Sequence, residues 1–123
     1  MIVLAPISVG ELIDKITILE LKIEFITDKV KKANVMIEHG HLSSTLELLK
    51  LPNITELRNQ LYNVNKELWH IENYKRSMEV DQNFGDGFVD AARQVYVKND
   101  LRANIKKQIN ELVGSDIVEE KSY

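Results

Sequence analysis

The chain of 123 residues carries 16 basic and 19 acidic side chains, which gives a formal net charge of −3. Binding to nucleic-acid phosphates requires a basic face, so this balance argues against a nucleic-acid partner. The absence of cysteine excludes disulfides and thiolate metal sites. The most hydrophobic stretch, residues 12–26, is interrupted by charged side chains, whereas a membrane span needs about 20 apolar residues. We therefore expect a cytoplasmic protein that does not span a membrane.

Two runs of apolar residues recur at alternating spacings of four and three. The first run consists of Leu12, Ile16, Leu19, Ile23, Ile26, Val30, Ala33 and Ile37. The second consists of Ile54, Leu57, Leu61, Val64, Leu68, Ile71 and, after Lys75, Met78. A repeat of 3.5 residues places one apolar seam along each of two long helices and is typical of coiled-coil-like packing.

The first helix is predicted over residues 9–38. Ser8 and Glu11 have the spacing of a capping box at its start, and Gly40 is expected to end it. In the connection that follows, Ser44 and Glu47 form a second capping box, which predicts a short helical turn over residues 45–50.

Two further helices are predicted, over residues 54–79 and 87–113. Asn53 and Asp86 are the expected caps at their starts, and Gly114 ends the last one. The expected fold class is therefore all-α, an antiparallel helical bundle of three long helices with a long helical hairpin and a short connecting helix. We expect residues 1–123 to form a single domain, with an extended N-terminal segment at 1–8 and a polar C-terminal tail at 114–123.

The N-terminal half of the first helix is apolar on more than one stripe, and a helix that is apolar on most sides is buried on most sides. The other helices and the N-terminal segment can cover part of this surface. Self-association is the simplest cover for the remainder, through Ile13, Ile18, Leu21 and Phe25. We expect a homo-oligomer, with a dimer favoured, and a surface on which another protein can also dock.

A polar belt interrupts the apolar pattern of the last helix between two apolar patches. The candidate ligand-binding residues of this belt and of the facing helix are Lys75, Arg93, Tyr96, Asn99, Asp100 and Arg102. The first helix offers Glu11, Asp14 and Lys15 opposite them. The favoured interpretation is a set of interhelical ion pairs that fixes the register of the bundle. The alternative is a pocket that binds an anion through Arg93, Arg102 and Lys75, and these two interpretations remain open.

No residue is assigned a catalytic role, and no cofactor is expected. Glu67 with His70, and Glu38 with His41, have the E-x-x-H spacing found in carboxylate-bridged iron sites. Such sites need further carboxylates that point inward, and His70 lies off the apolar seam, so no metal site is predicted. A helical interaction or scaffold module that self-associates is the expected function, and an anion-binding protein or enzyme is the alternative.

Four stretches carry a resemblance to a known family. They are PISVGELIDKITILELK, ELWHIENYKRSMEVD, FVDAARQVYVKNDLRANIKKQIN and GSDIVEEKSY. Together they resemble an uncharacterised bacterial family described only as a domain of unknown function. The resemblance spans nearly the whole chain, which implies one compact unit, and it carries no reaction or ligand with it.

Overall fold

Four α-helices follow one another in the computed structural model, which describes residues 1–122. They are α1 (Val9–Phe25), α2 (Lys29–Leu48), α3 (Thr55–Val80) and α4 (Asp86–Val113). The described residues contain no strand, so the all-α class predicted from the sequence is confirmed. None of these four helices is long and apolar enough to cross a membrane.

The predicted continuous helix over residues 9–38 is wrong, because the chain leaves helical geometry at Ile26, whose ψ is 126°. Asp28 then caps a new helix by accepting a hydrogen bond from the backbone amide of Lys31 at 2.9 Å. A side-chain acceptor at this position satisfies one of the amides that a helix start leaves unpaired. The apolar seam continues across this break, and for that reason its spacing did not reveal it.

The predicted helix end at Gly40 and the separate turn over residues 45–50 are also wrong. The helix that begins at Lys29 continues through both features to Leu48. Ser44 does not cap a helix but donates its hydroxyl to the carbonyl of Gly40 at 2.9 Å, as serine does inside a helix.

The start of α1 and the end of α4 agree with the sequence patterns. The predicted caps Asn53 and Asp86 are wrong, because the N-cap positions of α3 and α4 are occupied by Ile54 and Gly85, neither of which makes a side-chain capping hydrogen bond. Ser8 accepts a hydrogen bond from the amide of Glu11 at 3.0 Å, and Gly114 adopts the left-handed conformation, with φ 71°, that ends α4. The Glu11 carboxylate pairs with Lys106 at 2.5 Å, so the structure forms only one half of the predicted capping box. Asn53, one residue before the N-cap of α3, accepts a hydrogen bond from the amide of Thr55.

The core lies where α1, α3 and α4 meet. Its central cluster consists of Ile13, Leu61, Val64, Ile105 and Ile109, all nearly inaccessible to solvent. α3 and α4 form an antiparallel hairpin, and the backbone of α2 comes close to that of α1 only. α1 is therefore covered by three helices of its own chain.

Because α1 packs against three helices of its own chain, part of the predicted interface between copies is wrong. Ile13 and Leu21 are buried inside the single chain, so they belong to the core and offer nothing to a second copy. Ile18 and Phe25 are half-buried, and Phe25 stacks on Trp69 with ring centroids 5.7 Å apart. The N-terminal segment does not cover α1, because residues 1–4 are exposed.

Candidate functional site

A buried polar cluster links three helices at the centre of the bundle. We call it the Asp14 network; its members are Asp14, Thr17, Asn65, Asn99 and Arg102. Asp14 and Thr17 lie one turn apart on α1, so both side chains reach the junction with α3 and α4. Both are fully buried, which is uncommon for an aspartate unless it is paired.

The charge of Asp14 is met by a two-point contact from α4. Arg102 donates from Nε to Oδ1 at 2.9 Å and from Nη2 to Oδ2. Such bidentate pairs are among the strongest hydrogen-bonded contacts in proteins because geometry and charge act together. The bond to Asp14 raises the pKa of Arg102, and although burial acts in the opposite direction, the guanidinium stays charged across the physiological range.

The remaining hydrogen bonds orient the neutral members. Asn65 donates from Nδ2 to Asp14 Oδ1 at 2.9 Å and to Thr17 Oγ1 at 3.0 Å. Arg102 donates from Nη1 to Asn99 Oδ1 at 3.3 Å. Both amides are thereby held in one orientation, and the network closes without an unpaired charge.

The structure brings together only some of the candidate ligand-binding residues. Asn99 and Arg102 join the Asp14 network. Tyr96 lies one turn before Asn99 and is exposed, and Asp100, which follows Asn99, pairs with Lys121 at 3.0 Å. Lys75 instead pairs with Glu72 on α3 at 3.6 Å, and Arg93 is exposed and lies outside the network.

Sequence reasoning placed Asp14 opposite the polar belt but missed Thr17 and Asn65. A polar residue that directly follows an apolar seam position, as Asn65 follows Val64, was the one pattern that could have indicated a buried polar side chain here. Helix spacing alone did not show that these residues face one another.

Two cavities of about 400 Å³ flank the network, and Asn99 and Arg102 line both. The tail cavity lies between α4 and the C-terminal residues 119–121. The Trp69 cleft lies between α1, α3 and α4, and its lining includes Asn65, Trp69, Glu72, Asn73 and Arg76. The Asn99–Arg102 pair therefore stands between two concave surfaces.

Each of the four cations that line the tail cavity within residues 1–122 lies beside a carboxylate. Arg102 pairs with Asp14 and Lys121 with Asp100, and the C-terminal tail meets the other two. Glu119 lies 3.3 Å from Lys106, and Glu120 lies 3.3 Å from Lys107. Burial lowers the pKa of Lys106, but its hydrogen bond to Glu11 and the surrounding carboxylates outweigh this effect, so that the pKa lies above its ordinary value. The carboxylates of the tail, Glu119 and Glu120, thus take the positions that an anionic ligand would occupy beside Lys106 and Lys107.

The Trp69 cleft has the opposite character. Glu72 is its one acidic lining residue among those that the structure describes, and it is paired with Lys75. Arg76 is exposed at the cleft and makes no ion pair with any residue in 1–122. The cleft therefore combines the exposed guanidinium of Arg76, the anchored guanidinium of Arg102 and the indole of Trp69.

Glu67 and His70, one of the two E-x-x-H pairs, make contacts with other side chains. Glu67 pairs with Lys98 at 2.6 Å, and the exposed His70 lies edge-on to Phe25. Within residues 1–122, no group of three or more histidine, aspartate or glutamate side chains is arranged to hold a metal ion.

Comparison with known proteins places the chain in a family without giving it an activity. The model of a family of unknown function, DUF6165, matches residues 3–123, so the chain belongs to that family. This confirms the resemblance to a domain of unknown function. No curated protein and no solved structure matches the chain.

Proposed function

We propose that this member of the family is a helical interaction module that associates with a second copy of itself through one face of α2. This face, the α2 outer face, consists of Val30, Ala33, Ile37 and Leu48. These residues recur at helical spacings and so lie along one side of the helix. The proposal rests on the exposure of the large apolar side chains of the α2 outer face, Val30, Ile37 and Leu48.

α2 has two apolar sides, and only one of them is used within the chain. Val35, Leu42 and Leu46 are partly covered on the side toward α1. On the opposite side Val30 and Leu48 are 73% and 82% exposed. On this side His41 and Ser44 separate Leu48 from Ile37, so the apolar patch is centred on Val30, Ala33 and Ile37. An exposed apolar patch on a helix commonly marks a site of protein association.

The exposed area is large enough for such a contact. The chain exposes 8431 Å² of surface, whereas a compact monomer of this size exposes roughly 6,800 Å². The excess, roughly 1,600 Å², is greater than the ~800 Å² that each partner buries in an interface of standard size. Burial of ~800 Å² on each copy would remove about half of this excess.

Charge favours a second copy in antiparallel orientation. Lys29 and Lys31 flank the first turns of the α2 outer face, and Glu47 flanks its last turn. When two α2 helices pair antiparallel, the lysines of each copy approach the glutamate of the other. Such pairing is self-complementary, as a twofold dimer requires, and opposite charges beside an apolar seam set the orientation of paired helices.

Sedimentation equilibrium tests the proposal by measuring the average molar mass at protein concentrations between about 1 and about 500 μM. We expect the wild type to approach the mass of a dimer and Ile37→Glu to remain a monomer, because the new charge lies within the apolar contact. Val80→Glu is the matched control: Val80 is 81% exposed on α3, and the substitution adds the same charge. Circular dichroism verifies that both variants fold.

A wild type that stays monomeric over this range contradicts the proposal. So does a Val80→Glu variant that dissociates as readily as Ile37→Glu, because the contact would then depend on charge rather than on the α2 outer face.

A further inference from the structure

We infer that the Trp69 cleft is a binding site for a small planar anion, an aromatic ring that carries one carboxylate or phosphate group. This site lies on α1, α3 and α4 and is separate from the α2 outer face. Its four contributing groups are Trp69, Arg76, Asn99 and Arg102, all of which line the cleft.

Arg102 is a preorganised cation. Its Nε and Nη2 are held by Asp14, and its Nη1 lies 3.3 Å from Asn99. Nη1 and Nη2 each carry two N–H groups, so the guanidinium retains donors beyond those it uses within the network. A ligand that binds this group does not have to order it first, which removes part of the entropic cost of binding.

Trp69 supplies an aromatic surface beside these cations. The indole stacks on Phe25 with an interplanar angle of 25°, and this contact restrains its orientation. Aromatic rings of a ligand stack on such surfaces, and each stacked base contributes ~1–3 kcal/mol in nucleic-acid complexes.

Charge distinguishes this cleft from the tail cavity. The ionised groups in and directly behind the cleft are Lys75, Arg76, Arg102, Asp14 and Glu72, which together carry one positive charge. In the tail cavity, Lys106 and Lys107 are already neutralised by Glu119 and Glu120. An anion is therefore favoured in the Trp69 cleft and opposed by the acidic tail on the other side.

The size of the cleft restricts the ligand. Its volume of about 400 Å³ lies near the lower end of the ~300–1,000 Å³ range of small-molecule sites. A single ring system with one anionic group fits this volume.

Trp69 is the single tryptophan of the chain, so its fluorescence reports directly on the cleft. The full-length protein is titrated with benzoate and phenyl phosphate, with benzamide and phenol as their neutral counterparts, and with inorganic phosphate. We expect saturable quenching by at least one aromatic anion, with about tenfold weaker binding of its neutral counterpart because the charged hydrogen bonds are lost. Benzoate and phenyl phosphate distinguish a carboxylate from a phosphate ligand.

Arg76→Gln is expected to weaken binding of that anion by about five- to tenfold. Arg93→Gln is the matched control, since Arg93 is also an exposed arginine but lies outside the cleft. Equal binding of charged and neutral probes, binding of inorganic phosphate as tight as that of the aromatic anion, or no saturable quenching by any probe overturns the inference. Ile37→Glu, which tests self-association, is expected to leave this binding unchanged, so the two proposals fail separately.

Discussion

Arg102 on α4 holds both carboxylate oxygens of Asp14, a residue of α1 that solvent does not reach. The two positions are separated by 88 residues in the chain, and the contact fixes how α4 lies along α1. The same guanidinium forms part of the wall of two cavities. A contact that holds the register of the bundle thus also positions the candidate ligand-binding arginine.

Asp14→Ala is expected to destabilise the protein by about 3 kcal/mol. Removal of one partner from a buried ion pair costs ~3–5 kcal/mol, and the lower end applies because Arg102 is partly exposed. Urea denaturation measures the change. The double substitution Asp14→Leu with Arg102→Met is expected to lose less stability than the single variants Asp14→Leu and Arg102→Met lose together, since no charge is then left unpaired. A double variant that loses as much as this sum would contradict the explanation.

Glu11 and Glu119 contact the same ammonium group, yet their substitutions are expected to differ. Lys106 lies 2.5 Å from Glu11 but 3.3 Å from Glu119, whose carboxylate is half-exposed. Glu11→Gln should therefore cost ~1.5–3 kcal/mol, and Glu119→Gln less than about 1 kcal/mol. Thermal unfolding of both variants at low and high salt measures the difference, and equal losses would show that burial does not set the strength of these pairs.

Substitutions of two glycines are expected to act in opposite directions. Gly40 lies inside α2 with open space where a Cβ would be, so Gly40→Ala should stabilise the protein by about 1 kcal/mol through helix propensity. At Gly10 a Cβ would lie 2.6 Å from the carbonyl oxygen of Lys106, so Gly10→Ala should be destabilising. Urea midpoints compare the two, and a stabilising Gly10→Ala would mean that α1 and α4 can separate at little cost.

The phenol of Tyr62 is expected to ionise at higher pH than that of an ordinary tyrosine. Its hydrogen bond to Glu24, 2.7 Å long, raises the pKa, and burial and the charges of Glu24 and Glu20 act in the same direction. Because the folded-state pKa lies above the unfolded one, this bond contributes stability that is complete below pH 10.0 and is lost as pH rises through the raised pKa.

Absorbance at 295 nm follows this ionisation, and Tyr62→Phe removes the late-titrating phenol. Glu24→Gln keeps a hydrogen-bond acceptor but removes the charge, so it should move the titration toward the ordinary value. An unchanged titration in Glu24→Gln would assign the shift to another group.

Helix type and most helix ends could be predicted from local patterns. The structure has α3 at Thr55–Val80 and α4 at Asp86–Val113, within one residue of the predicted bounds at each end. Ser8 and Gly114 act at helix ends as their side-chain chemistry indicates, because a cap depends on neighbours only a few residues away.

The candidate site was predictable only in part. The polar belt pointed to Asn99 and Arg102, and Asp14 was placed opposite it, but Lys75 and Arg93 lie outside the network that forms there. Thr17 and Asn65 were missed because the sequence specifies which face of a helix a residue occupies, not which residue of another helix it meets.

By itself the sequence determined that this chain is helical and where its later helices begin and end, because periodicity and capping are local properties. Tertiary structure alone decided the rest. It decided that the first apolar run is divided between α1 and α2, so that Val30 and Ile37 face outward. It also decided that Asp14 receives Arg102. Both outcomes depend on contacts between distant segments, whose free energies of packing and desolvation outweigh local preferences.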